Sequence, residues 1–452
     1  MKKTTILLLL ATFIMMAKAQ NDLSATWQEV HKLLKPDEAA IEFVAYRNAD
    51  QQLTDSVMYA AMVILRDREA AVRIPLCDEK LLISLLQHDD YNKQRKIDNL
   101  YLDKADALYQ LVWQKLEREL ADIKTIYYSP AGLLHRIAFN ALPAGKDNRL
   151  LLDKYNLHLV SGAHEIARLK KETTSALLQD TVVIYGGLTY ESQSFIRNKQ
   201  SSPDSDRFIE RFRQRNTELP DVELFDVQFQ SGFGTWQYLP GAKSETEEIV
   251  KLLESRHIPC KYYSEEQGTE ESFKQLDGTN AAIIHVATHS YFLPDIENPL
   301  FADLLRRLGG DKDNLMLGSG LIMSGANEQW TANEIVIEDG KEDGILTSDE
   351  ISRLDLKKTK LAVLSGSETG LGYINGNEGV VGLQRAFKLA GVESLIMSLW
   401  DVPDIATVYL MQSFYELWLS GQSRQSAFRS AQQKVREKYQ LPYFWAAFVM
   451  MD

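Results

Sequence analysis

Hydrophobic and polar positions along the chain fall into two rhythms. In the first stretch, Ala40–Tyr46 and Val57–Leu65 alternate like strands, and the polar residues Arg47–Asp55 between them predict a hairpin. A helical pattern over Trp27–Leu34 comes before it and stops at Pro36. Asp98–Ile123 places Leu100, Leu108, Leu111, Val112, Leu116 and Leu120 on one stripe, which predicts the longest helix of the chain. After Ile126–Tyr128 and the turn Ser129-Pro130-Ala131-Gly132, short apolar runs alternate with helical ones. The predicted strands are Val182–Tyr185, Lys261–Tyr263, Ala281–Ala287, Leu361–Leu364 and Ser394–Leu399. The predicted helices between them are Glu245–Glu254, Glu270–Leu276, Gly379–Leu389 and Ile405–Leu419. A helix over Ser423–Lys438 and a strand over Phe444–Met450 close the chain. This alternation predicts an α/β fold built on a mostly parallel sheet.

Two segments break the rhythm. Glu191–Gln230 is polar and lacks an apolar period, so it is a candidate flexible insertion, with Arg207–Arg215 as a solvated helix face. Leu300–Gly344 carries the Gly309-Gly310 pair and many Asp, Asn and Lys residues. No internal repeat is present. At the start, Lys2 and Lys3, the apolar run Ile6–Met16 and Ala17-Lys18-Ala19 have the form of a cleavable secretory signal ending before Gln20. The expectation is a secreted or periplasmic protein with no integral membrane segment once that signal is removed.

Composition adds exclusions more than assignments. The 452 residues are 45% apolar and 25% charged, as in ordinary globular proteins. A formal net charge of -13 argues against a nucleic-acid or anionic-membrane surface. Cys77 and Cys260 are the only cysteines, and both pairing and separate burial fit their positions.

The candidate chemistry lies at two strand ends. Ala281–Ala287 opens onto Thr288-His289, and Lys360–Ser365 opens onto Gly366-Ser367-Glu368-Thr369-Gly370. Ligands of open α/β sheets bind at the carboxyl ends of strands. Two neighbouring tips would there present an imidazole, His289, and a hydroxyl, Ser367, the pairing of a nucleophile with its proton-transfer partner. Gly366 permits a sharp turn, and a backbone N–H beside it would serve an oxyanion. A plain strand-to-loop turn fits the same residues equally well. His285 reads as a neutral, hydrogen-bonded core residue, and no metal site is expected from His285 and His289 on a strand. In Gly370-Leu371-Gly372-Tyr373-Ile374-Asn375-Gly376 the third glycine falls late for a dinucleotide fingerprint, so no cofactor is expected. Asp401 and Asp404 follow a third strand. They form either an acidic pocket for a basic side chain or, for Asp404, the cap of the helix beginning at Ile405.

At these residues the chain resembles the CHAT family, caspase-fold peptidases of bacteria related to caspases and separases. Ile284-His285-Val286-Ala287-Thr288-His289 is similar to the family's histidine strand. Val363-Leu364-Ser365-Gly366-Ser367-Glu368-Thr369-Gly370 is similar to its nucleophile motif, usually L-S-A-C-E-T-G. Leu346–Ile351, Glu378-Gly379-Val380, Leu383–Phe387, Ser398–Val402 and Pro442–Phe448 follow in the family's order. Upstream, Pro130–Leu133, Leu142-Pro143 and Leu239-Pro240-Gly241 before Glu247 also match, so the resemblance runs from about Trp27 on. It implies a caspase-like, doubly wound, mostly parallel sheet with flanking helices, preceded by a smaller N-terminal α/β region. The implied layout is a signal peptide over residues 1–19, an N-terminal part over 20–180 and a caspase-like core over 181–452.

The resemblance makes His289 the catalytic histidine and puts Ser367 where the family has cysteine. Ser290 stands where the family often has glycine. The oxyanion donors implied are the backbone N–H groups of Ser290 and Ser367. Likeness to separases implies that Asp401 and Asp404 receive a basic P1 side chain. The partner is then a polypeptide, either cut by a secreted endopeptidase or bound without cutting by a pseudoprotease. The tetratricopeptide repeats that many members carry in front are absent.

Overall fold

Strand β1 (Glu38–Arg47) and strand β2 (Val57–Leu65) pair antiparallel from Ala39↔Leu65 to Arg47↔Val57, the hairpin expected from their alternation. The structure is a computed structural model that describes residues 27–47, 56–87, 92–145, 149–171, 181–191, 235–293, 302, 305, 314–330, 341–374 and 379–452. The signal-like residues 1–19, the Arg207–Arg215 stretch and all but the first residue of Glu191–Gln230 lie outside it. The chain divides into two units. The first comprises Met1–Leu134, Phe139–Ser175 and Met451–Asp452, and the second His135–Ala138 and Ala176–Met450. No helix among the described residues is long and apolar enough to cross a membrane.

In the first unit the sheet order is β3-β2-β1-β4-β5, adding β3 (Val72–Asp78), β4 (Thr125–Ser129) and β5 (Asn156–Leu159). β1, β4 and β5 run parallel. Sequence periodicity misses β3 because Pro75 and Arg73 interrupt it, and an edge strand tolerates proline. The long helix expected over Asp98–Ile123 is broken. A π-turn (Asn99–Asp103), helix α1 (Ala105–Val112) and a 3₁₀ turn (Gln114–Leu116) replace it. The break falls at Trp113, with φ −133°, whose buried ring packs against Phe139 and Tyr155 at 5.8 and 6.2 Å. Burying that large aromatic outweighs helix continuity, while Leu100, Leu108, Val112, Leu116 and Leu120 of the stripe still face the core.

Glu42 of β1 pairs opposite Ser129 and accepts a hydrogen bond from the Ala163 N–H. Burial nonetheless pushes its carboxyl up to about 7. A folded-state value above the unfolded one gives a contribution fully present below the ordinary carboxylate range and lost as pH rises through about 7. The melting temperature should therefore fall from pH 5 to pH 8 more steeply in the unmodified protein than in Glu42→Gln. Equal slopes in thermal melts would refute this.

The second unit's sheet order is β16-β15-β12-β8-β6-β7. Its strands are β6 (Thr181–Leu188), β7 (Cys260–Glu265), β8 (Ala281–Ala287), β12 (Leu361–Ser365), β15 (Ser394–Ser398) and β16 (Phe448–Met451). β7, β6, β8, β12 and β15 are mutually parallel. β8, β12 and β15 are buried along their whole lengths, as central strands covered on both faces must be. The expected α/β class, with a mostly parallel sheet and flanking helices, is what the structure has. A small antiparallel sheet joins β9 (Ser290–Phe292), β10 (Ser319–Ile322) and β11 (Ile345–Thr347).

Three predicted element ends move. Helix α2 (Pro240–Ser255) begins a turn early because Pro240 occupies its first position. The helix expected from Gly379 starts at Leu383, since β14 (Val380–Val381) pairs instead with β13 (Tyr373–Ile374). Pro442–Trp445 is a helical turn, so the last strand starts at Phe448. The cysteines are unpaired, Cys77 buried and Cys260 half-buried.

Candidate active site

The site is set by strand register. β8 and β12 are parallel neighbours paired from Leu361↔Ile283 to Ser365↔Ala287. The chains stay close past that pair: a Cβ on Gly366 would stand 2.5 Å from the Thr288 carbonyl oxygen. Only glycine permits that approach. One step on, the Ser290 hydroxyl donates to the Ser367 carbonyl. His289 and Ser367, each two residues beyond the last paired position, thus end up at adjacent tips on the carboxyl edge of the sheet.

The Ser367 turn is pinned from behind. Thr369 Oγ1 donates to the Leu364 carbonyl at 3.0 Å and accepts from the Ser398 N–H at 2.9 Å. Gly370 N–H donates to the Ser398 carbonyl at 2.8 Å. Glu368 takes a left-handed φ of 56°, which closes the turn and leaves Ser367 exposed. The Ser367 hydroxyl makes no hydrogen bond to another described residue.

His289 is held in one protonation geometry. Its Nε2 lies 2.7 Å from the Gln237 carbonyl oxygen. A carbonyl only accepts, so Nε2 carries the hydrogen and Nδ1 is the basic nitrogen. The ring sits between Tyr190 and Trp236, with centroids at 5.1 and 5.0 Å. Burial lowers its pKa to about 4, against the opposing pull of the Gln237 carbonyl and the Asp401 charge. The imidazole is therefore neutral at pH 7, able to take a proton.

Asp401 and Asp404 separate in role. Asp401 is half-buried and close enough for its charge to act on His289. Asp404 does not cap its own helix. The N-cap is Pro403, and Asp404 is the first residue of α3 (Asp404–Leu419). Its carboxylate instead accepts the Gly241 N–H at the start of α2, where a Cβ on Gly241 would meet Asp404 Oδ2 at 2.0 Å. Burial raises its pKa.

Behind the tips lies a sealed polar network. His285 Nε2 and Ser365 Oγ bond the two carboxylate oxygens of Glu245 at 2.8 and 2.9 Å, and His285 Nδ1 meets the Tyr415 hydroxyl at 3.2 Å. His285 is the hydrogen-bonded core residue expected, with both nitrogens engaged. Its acid partner is Glu245. Buried Ala242, Glu245, Thr246, Ile249 and Leu253 form the inner stripe of α2, while Glu247 is only half-buried. Glu270, Glu342 and Glu350 come close enough together to share a cation, but the Lys274 ammonium already contacts all three at 2.8–2.9 Å.

Sequence reasoning missed Gln237, Trp236 and Tyr190. A backbone carbonyl leaves no trace in residue type, and the two aromatics lie outside the motifs.

The family model of the CHAT domain matches residues 102–452. The chain belongs to the CHAT family. The match starts at residue 102, later than the resemblance read from about Trp27. This CHAT chain is 33% identical over 101 residues to tetratricopeptide repeat protein 28 of Mus musculus, covering 22% of the chain. It is 31% identical over 109 residues to the Homo sapiens protein of the same name, covering 24% of the chain. In both cases it spans 4% of the relative's length. Among solved structures, the Saccharomyces cerevisiae separase–securin complex aligns over 94% of the CHAT chain and 30% of its own, at 10% identity and a TM-score of 0.46. The Arg specific cysteine proteinase gingipain R aligns over 78% and 66%, at 8% identity and a TM-score of 0.40.

Proposed function

We propose that the chain is a secreted, caspase-fold, peptidase-like protein that takes an extended polypeptide across the tips of β8 and β12. His289 acts as the acid/base, Ser367 occupies the nucleophile position, and backbone N–H groups at Ser290 and Ser367 receive the oxyanion. The observation that carries this reading is the adjacency of the two tips, fixed by the Ser365↔Ala287 register and the Ser290-to-Ser367 hydrogen bond. Asp401, whose charge reaches His289, supplies the acidic wall for a basic P1 side chain. Asp404 supports that wall from the start of α2, since its carboxylate is already engaged there.

A second reading has its own observation. The Ser367 hydroxyl lacks a hydrogen-bonded base among the described residues, and a serine without one is a poor nucleophile. The unmodified chain then binds its polypeptide and cuts it slowly or not at all.

The test uses peptides with Arg, Lys, Asp or Leu at P1, offered to the unmodified chain, to Ser367→Cys and to Ser367→Cys combined with His289→Ala. Expected is cleavage after Arg and Lys by Ser367→Cys, abolished by loss of His289. Asp401→Asn in the cysteine form should lower kcat/KM for basic P1 by about tenfold, roughly the value of one charge-assisted contact. Preference for Asp or Leu at P1 would refute the Asp401 wall. Cleavage that survives His289→Ala would refute the acid/base assignment.

A further inference from the structure

We infer that Asn327 is a positioning residue for His289, holding the carbonyl and both aromatic walls that fix the imidazole. The inference rests on the reading of His289 as the acid/base, but its geometry stands separately. Asn327 is fully buried at the start of the short helix Ala326–Trp330. Its side chain makes two opposed hydrogen bonds to one backbone unit: Oδ1 accepts the Trp236 N–H at 2.7 Å, and Nδ2 donates to the Trp236 carbonyl at 2.9 Å. Because a backbone N–H only donates and a carbonyl only accepts, the amide has one possible orientation. The side chain thus imitates a neighbouring strand for residue 236. The next carbonyl along, Gln237, is the one that takes the His289 Nε2 hydrogen.

The backbone of Asn327 holds the other wall. Its N–H donates to the Tyr190 carbonyl at 2.9 Å, and the Gly325 N–H donates to the Thr189 carbonyl at 3.1 Å. Tyr190 is fixed again at its hydroxyl, which bonds Thr288 Oγ1 at 2.8 Å, and Thr288 donates to the Ile322 carbonyl at 2.6 Å. Trp236 also packs on Trp330, three residues past Asn327, at 5.0 Å. One buried asparagine therefore bonds Trp236 and Tyr190, which flank the imidazole ring, and so holds the residue next to Gln237, whose carbonyl takes the Nε2 hydrogen. Residues 235–238 have no strand pairing among the described residues, so this clamp fixes where the Gln237 carbonyl points.

The test reads the imidazole rather than turnover. In the full-length chain with ¹⁵N-labelled histidine, His289 is assigned by its loss in His289→Ala. Its ring nitrogens should report the Nε2–H tautomer and a titration near 4. In Asn327→Ala the tautomers should mix. The titration should move up towards the ordinary histidine range, because loss of the Trp236 wall relieves the burial that dominates the shift. Asn327→Asp keeps the acceptor but loses the donor at neutral pH, so it should fall between the two. In the Ser367→Cys background, Asn327→Ala should lower kcat at least tenfold with KM changed less than threefold. A folded Asn327→Ala that keeps both tautomer and titration overturns the proposal. If that variant does not fold, Asn327→Asp decides by the same signals. In the unmodified chain the Trp236 amide must exchange slowly with solvent; free exchange also overturns the proposal. If Ser367→Cys cuts no peptide, the peptidase reading falls while the tautomer result still decides the role of Asn327.

Discussion

Exchanging Ser367 for cysteine should raise peptide cleavage by about 10²–10⁴-fold, the usual worth of the proton transfer that the serine lacks here. A hydroxyl attacks only when a base removes its proton in the same event, and the Ser367 hydroxyl has no hydrogen-bonded base among the described residues. A thiol needs less help. With a pKa near 8.5 it is a few per cent thiolate at pH 7, already strongly nucleophilic. The pH profile separates this account from one with a preformed ion pair. With its Nε2–H committed to Gln237 and its pKa lowered to about 4, His289 is neutral above pH 5 and lends no positive charge to a thiolate. The kcat/KM of Ser367→Cys should therefore climb from pH 6 to pH 8.5 with the titration of the thiol itself. A flat profile from pH 5 upward would mean that an imidazolium forms beside the sulfur, and would overturn the neutral-histidine geometry.

Replacing Glu245 with alanine should cost about 3–5 kcal/mol of stability, the usual penalty for removing one member of a buried charged network. Glu245 is 3% exposed, and its two oxygens satisfy His285 on β8 and Ser365 on β12. Alanine leaves His285 Nε2 and Ser365 Oγ buried without this partner, with a cavity under the tips. Thermal melts should show a drop of roughly 6–20 °C for the transition that contains the second unit. Glu247→Ala, two residues on but outside the inner stripe of α2, should change stability by less than about 0.5 kcal/mol. Equal effects from the two substitutions would mean that the network adds nothing.

That pair of glutamates shows how far the sequence can be read. The strands of the second unit were legible because β8, β12 and β15 are buried on both faces and appear as unbroken apolar runs ending in small residues. The tips bearing His289 and Ser367 followed directly. The inward-facing acid of α2 was not singled out: Glu245 shares the stripe of Ile249 and Leu253, but its buried partners His285 and Ser365 lie far away in the chain. In the first unit the Asp98–Ile123 stripe correctly marked core positions and wrongly promised one helix, since Trp113 breaks the backbone to fill a space that Phe139 and Tyr155 define. Asp404 read as a local cap because capping is a sequence-neighbour rule. Its actual partner, Gly241, lies far away in the chain. Gln237 was invisible for a deeper reason: any residue type would supply the same carbonyl.

The corner that presents residue 367 draws its shape from Gly366, Thr369 and Ser398, and from the left-handed Glu368, none of which depends on the side chain displayed. Swapping an oxygen for a sulfur there disturbs no supporting contact. Within such a scaffold a single codon change can remove or restore a sulfur at residue 367, while the turn that displays it keeps its shape.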